Sequence, residues 1–161
     1  MKFQTVNTRS FLLTAAAIML LFSISPSFGQ GDEVKRATSR EGLSQTGTLT
    51  SGEVSDDLDG SDDEYFYKFQ AGPGKLMVTF VVDANETNAG AHLDLFVGDK
   101  VILSDLLAQG VDGGKESVSK SVKLTKAQDV IIRVKGIKYG SSGGTGTYKI
   151  TLDGAVNFKK N

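Results

Sequence analysis

The sequence predicts an all-β fold: an antiparallel two-sheet β-sandwich of jelly-roll type with about eight strands. Three observations predict it. From about Leu43 onward, apolar residues recur at every second position in one segment after another, the period of a strand that buries one face. These segments are short and separated by turn formers, in a chain with nineteen glycines and only two prolines. No convincing amphipathic helix lies between them, which argues for packed antiparallel sheets or a barrel over a parallel α/β sheet.

In chain order, residues 1–29 come first. A basic start (Lys2, Arg9) leads to the apolar run Phe11 to Phe22, then to the small-residue stretch Ser23 to Gly29 with Pro26 as a breaker. That order describes a secretory signal peptide, with Ser27 and Gly29 as the small residues before a cut ahead of Gln30. The alternative, an uncleaved anchor, has a run short of the about twenty residues a bilayer core requires. Residues 30–44 are charged and lack an apolar period, so they read as a flexible or loosely docked arm.

The folded part is expected over 45–154. A first strand is placed near Thr46 to Glu53. Tyr65, Tyr67 and Phe69 then form one inward set, and Leu76, Val78, Phe80 and Val82 the next, with Ala71-Gly-Pro-Gly74 read as the turn between them. Leu93, Leu95 and Val97 follow, then a short strand at Val101 to Ser104. Val118, Val122 and Leu124 come next, then Val130, Ile132 and Val134, and last Tyr148, Ile150 and Leu152. Leu103 to Gln109 could be helical but is too short to alter the class. Residues 155–161 form a C-terminal tail.

Composition narrows the function. The formal charge of −1 includes Lys2 and Arg9 of the leader, so 16 basic residues face 19 acidic ones after cleavage, a balance of −3. Such weak acidity argues against nucleic acid and anionic membrane as partners, because phosphate recognition needs a concentrated basic surface. The absence of cysteine excludes disulfides, thiol redox chemistry and cysteine-linked lipid. After leader removal no stretch is long enough to remain inserted in a membrane, so the protein is expected in the periplasm or outside the cell.

Several segments in order resemble a known family. They are the opening Gly47-Thr-Leu-Thr-Ser-Gly52, an acidic loop running into Asp63-Glu-Tyr-Phe-Tyr-Lys-Phe69, and then Lys75-Leu-Met-Val-Thr-Phe80. Leu93-Asp-Leu-Phe96 and the closing Gly146-Thr-Tyr-Lys-Ile-Thr-Leu152 complete the series. Together they resemble the bacterial pre-peptidase C-terminal domain, which is related to the collagen-binding domains of clostridial collagenases. The resemblance implies a non-catalytic β-sandwich that serves secretion, localisation or substrate attachment and in some members binds calcium. Here no protease domain precedes the module, so any enzyme partner would be a separate chain.

The acidic stretch from Asp56 to Glu64 places six carboxylates within nine residues, which repel one another unless solvent or a cation screens them. Its Asp-x-Asp-Gly pattern allows alternate oxygens to converge on calcium, with Asp57, Asp59 and Asp62 as preferred ligands and Asp56 and Asp63 next. The match to an EF-hand is partial, and a solvated acidic turn explains the same residues. Phe66, Phe96 and Tyr139 fall off the inward parity or in a loop. They are candidates for an aromatic platform that takes a polysaccharide or protein chain, or for packing under a loop or the arm.

His92, the only histidine, shares a strand face with Asp94. It is a candidate base only if a serine and an acid converge on it, and a polar surface histidine is the simpler reading. Asp94 and Asp105 could form a glycosidase pair only across a cleft, and surface or turn carboxylates account for them otherwise. Gly140 to Gly146 lacks the Gly-Lys-Ser/Thr ending of a phosphate loop. The function expected is therefore an exported, non-catalytic module for binding or attachment at the cell envelope or beyond. The alternative is a periplasmic accessory or chaperone-like partner of a secreted protease.

Overall fold

The structure, a computed structural model, describes residues 36–59, 64–85, 88–139 and 144–158. The chain divides into two units, 1–30 and 31–161, and the described residues all belong to the second. The expected leader, residues 1–29, therefore lies outside the described residues. So do Asp62 and Asp63 of the acidic stretch. No helix among the described residues is long and apolar enough to cross a membrane.

The described residues form seven strands and one helical turn, α1 (Leu43–Thr46). The strands are β1 (Glu53–Leu58), β2 (Glu64–Ala84), β3 (Ala89–Val97), β4 (Lys100–Gly110), β5 (Lys115–Leu124), β6 (Gln128–Gly136) and β7 (Gly146–Val156). Every pairing is antiparallel. The ladder runs β1-β7-β2-β6-β3-β4, and off this path β5 also pairs with β2, across from β7. The all-β antiparallel class is the one the period-2 pattern predicts, and the hydrogen bonds link the strands into one continuous sheet.

That continuity comes from β2, which at 21 residues is twice the length of its neighbours. Its first part, Glu64 to Ala71, pairs with β6; its second, Gly74 to Ala84, pairs with β5 and β7. The strand thus belongs to two layers, β1-β7-β2-β5 and β2-β6-β3-β4. One apolar cluster spans both, from Tyr67 and Phe69 through Val78, Phe80, Leu93, Leu95 and Ile132 to Ile150, all with essentially no exposure.

Eight expected strands become seven because residues 71–74 do not break the chain direction. The register against β7 jumps from Ala71↔Val156 to Leu76↔Gly154, a bulge with φ of 87° at Gly72 and 137° at Gly74. A Cβ on Gly72 would lie 2.5 Å from the Lys126 carbonyl oxygen, so a side chain does not fit there. The buried set is odd-numbered before the bulge (Tyr65, Tyr67, Phe69) and even-numbered after it (Leu76, Val78, Phe80, Val82). The inserted residues shift the parity so that both parts face one core.

Two other boundaries differ from expectation. The first strand is Glu53–Leu58, not Thr46 to Glu53, because Val54 and Leu58 are the residues that pair with β7 and reach the core. Ahead of it, Leu49 donates its N–H to the Lys68 carbonyl at 2.7 Å and covers the edge of β2 without forming a strand. The doubtful segment Leu103 to Gln109 is strand throughout, as part of β4.

Within the arm, the described residues from Arg36 on are docked. Ala37 and Phe66 exchange both backbone hydrogen bonds, at 3.1 and 2.8 Å, across an isolated bridge. Leu43 is buried beside Phe66, with Ile131 packed against them.

Candidate functional site

Antiparallel register assigns the residues on the outer face of the β2-β6-β3 layer. Arg133 on β6 stands opposite Phe66 on β2 and Asp94 on β3; Ile131 stands opposite Lys68 and Phe96; Lys135 stands opposite Glu64 and His92. The arm crosses this face and leaves a cleft of about 350 Å³. Thr38, Ser39, Arg40 and Glu41 form one wall, with Glu64, Phe66, Phe96 and Arg133 on the sheet side. Phe66 and Phe96 are 7% and 9% exposed, so the arm and the arginines cover most of both rings.

Both arginines of the cleft are paired with neighbouring groups. Arg133 donates from Nε and Nη2 to Asp94 Oδ2 at 3.0 and 2.7 Å and from Nη1 to Glu64 Oε1 at 3.4 Å. Its guanidinium lies 5.4 Å from the centre of the Phe96 ring, and that of Arg40 lies 5.2 Å from the same ring. Arg40 donates to the Gly98 carbonyl and pairs with Asp99 at 3.2 Å. The wall is thereby tied to the β3–β4 turn.

Asp94 is the one buried charged residue among those described. Its Oδ2 takes the Arg133 fork and its Oδ1 accepts the Asp105 N–H at 2.9 Å. Asp105 sits at a bulge of β4 with φ of 56°, a conformation that Asp tolerates better than most residues, and the Asp94 bond satisfies the amide exposed by that bulge. Asp94 is consumed in holding geometry, which leaves it poorly placed as half of a glycosidase pair. His92 Nδ1 lies 2.5 Å from Asp105 Oδ1 but without hydrogen-bond alignment. Among the described residues, no hydrogen bond joins His92 to a serine.

A second polar cluster closes the seam between the layers. Asp56 has the inward parity of Val54 and Leu58, and its Oδ2 receives Arg36 Nη1 at 2.9 Å and the Tyr67 hydroxyl at 3.3 Å. The Tyr67 and Tyr148 hydroxyls are bonded to each other. Tyr65 stacks on Tyr148 at 6.3 Å, with the Arg36 guanidinium 4.3 Å from the Tyr65 ring. Burial drives both the Tyr67 and the Tyr148 phenols well above the usual tyrosine range. Their mutual bond lowers Tyr67 and raises Tyr148, and the Asp56 charge raises both. For Arg36, partial burial acts downward, yet Asp56 and the phenols carry its pKa above the usual value.

Of the five calcium candidates, Asp62 and Asp63 lie outside the described residues; Asp56, Asp57 and Asp59 are described. Asp56 and Asp57 are successive strand residues and point to opposite faces: Asp56 to Arg36 and Tyr67, Asp57 to solvent. Asp59 is exposed just beyond the strand. Among the described residues, no three His, Asp or Glu side chains group closely enough to hold a metal.

Of the aromatic trio, Phe66 and Phe96 share the cleft. Tyr139 lies at the other end of β3, where its hydroxyl accepts a hydrogen bond from Gln109 Nε2 at 2.8 Å beside Gly90. Gly90 to Phe96 spans about 20 Å of strand. The sequence reading missed Arg40, Arg133 and the holding role of Asp94. One signal was present: Arg133 is the only arginine between residues 45 and 154.

No family model matches the chain, and no curated protein matches it. A similar solved structure is the CBM36-1 domain of a multidomain xylanase from the hindgut metagenome of Trinervitermes trinervoides. It is 18% identical, aligned over 62% of this chain and 78% of that one, with a TM-score of 0.34.

Proposed function

We propose that the protein is an exported, non-catalytic binding module whose cleft between the arm and the β2-β6-β3 face holds one or two units of a neutral, polyhydroxylated chain, a polysaccharide of the envelope or its surroundings. The observation that carries this reading is the engagement of both arginines of the cleft. Arg133 is satisfied by Asp94 and Glu64, and Arg40 by Gly98 and Asp99, so neither arginine is left to pair with an anionic ligand. What remains is a rim of donors and acceptors over two largely covered phenylalanine rings, with Thr38, Ser39 and Glu41 opposite Glu64 and Arg133. Vicinal hydroxyls, each donor and acceptor at once, match such a rim.

Export is supported by the order of charged, apolar and small residues in 1–29. Attachment rather than chemistry is supported by the engagement of Asp94 and by the resemblance to the pre-peptidase C-terminal domain. Affinity electrophoresis against neutral polysaccharides, acidic polysaccharides and gelatin tests the reading. Retardation in a neutral polymer is expected, and it should disappear in Arg40→Ala while the melting temperature is kept. Retardation by gelatin alone would transfer the function to protein recognition, as for an accessory partner of a secreted enzyme, and no retardation in any gel would refute the cleft as a binding site.

A further inference from the structure

A second opening lies between β4 and β5. β4 and β5 leave a common turn, 111–114, but do not pair: among the described residues β4 is bonded as a strand only to β3 and β5 only to β2. Each therefore has one edge without a described strand partner, although the Gln109 N–H on β4 is taken by Glu116 Oε2 at 2.6 Å. Where they diverge, a groove of about 270 Å³ lies between Val101 to Ser104 on β4 and Lys120 to Val122 on β5.

The two edges are unlike. Three of the four exposed large apolar residues, Val101, Leu107 and Val111, lie on β4 or the turn that follows it. β5 presents lysine and serine instead. In register, Lys120 stands opposite Val78, whose side chain is in the core, so Lys120 takes an inward-parity position between the half-buried Val118 and Val122 and faces the groove. Inward charges are a known guard against edge-to-edge pairing. Among the described residues Lys120 forms no ion pair. An unpaired cation in the groove between the two strand edges is complementary to an anionic strand.

We propose that the β4–β5 groove is a docking site for an extended acidic peptide segment of a partner protein, which adds as a strand to an open edge with a carboxylate over Lys120 and apolar side chains against Val101 and Val122. Backbone hydrogen bonds to the free edge supply affinity, and alternate side chains supply selection. Lys120 rejects basic segments. This site is separate from the arm cleft and stands or falls independently of it.

The test uses the ¹⁵N-labelled protein and the peptide Ac-Thr-Val-Glu-Val-Asp-Val-Thr-NH2. Two controls accompany it: a copy with both acids replaced by lysine, and a copy with the central valine replaced by proline. Saturable shifts confined to Val101–Ser104 and Lys120–Val122 are expected, with slowed amide exchange on β4 or β5. Affinity should fall about tenfold in Lys120→Glu, and that variant should gain the lysine peptide. The exposed position of Lys120 keeps the variant folded, which its melting temperature verifies. Equal binding of the proline copy would overturn strand addition in favour of charge alone. Unchanged affinity in Lys120→Glu, or no shift in the groove at millimolar peptide, would overturn the site.

Discussion

On the outer face of the β1-β7-β2-β5 layer, Thr79 bonds to Ser119 at 2.8 Å, Lys115 pairs with Asp83 at 3.1 Å, and Lys149 pairs with Glu53 at 2.9 Å. These contacts are exposed and link nearest neighbours across a ladder. On the outer face of the β2-β6-β3 layer, Arg133 ties three strands through Asp94, Glu64 and Phe96, and the arm covers the result. Both layers bury the same core, so the difference between their outer faces is not required by folding. Short, solvated pairs give solubility; a partly buried, mutually satisfied set gives fixed shape. The second kind of surface is the one suited to recognition.

The comparison assumes that the layers stand or fall together. Phe80→Ala, in the core they share, should cost about 3–5 kcal/mol and keep one cooperative transition in a denaturant titration. Two separated transitions would mean that β2 joins two independent units. Next in size, Asp94→Ala strands Arg133 and the Asp105 amide. A loss of about 2 kcal/mol is expected, below the full penalty for a broken buried pair because Arg133 keeps access to solvent. Mutation of Thr79 or Ser119 to alanine should stay within about 0.5 kcal/mol. Equal effects at Asp94 and Ser119 would erase the distinction between the faces.

The seam between the layers makes a prediction about pH. Tyr67 and Tyr148 hold their protons more tightly folded than unfolded. Above the ordinary tyrosine pKa of about 10, the unfolded chain ionises first, so it binds fewer protons and stability falls as pH rises. That stability is complete below about pH 10, and each retained proton then costs about 1.4 kcal/mol per pH unit. Chemical denaturation at pH 9 and 11 should show the loss in the wild type and a smaller one in Tyr148→Phe. Arg36→Ala, at the same seam, should cost less than about 1 kcal/mol, because its ion pair with Asp56 is partly solvated. A large loss would mean that the arm is part of the core.

The strands were legible because burial on one face imposes period 2 whatever the neighbour is. Tyr65, Tyr67 and Phe69, or Val130, Ile132 and Val134, state their own orientation. The bulge at Gly72–Gly74 was harder to read, since Gly-Pro-Gly is equally the signature of a turn. Only the pairing of β2 with β6 on one side and β7 on the other keeps it in line. Of the candidate site, Phe66 and Phe96 could be suspected from parity. Arg40, Arg133 and Asp94 could not be joined, because they lie 39 or more residues apart along the chain and meet only through strand order and a docked arm.

By itself, then, the sequence determined the fold class, the inward sets of the strands other than β1 and β4, and the exclusion of thiol chemistry, since composition and local period depend on nothing distant. Tertiary structure decided which strands are neighbours, how one long strand serves two layers, and which charges meet. It separated Asp56 from Asp57, which the sequence had grouped, and it brought Arg40 and Arg133 onto one phenylalanine ring. The physical reason is that electrostatic and ring contacts act over a few ångströms of space, and distance along a chain does not specify distance in space until the ladder is set.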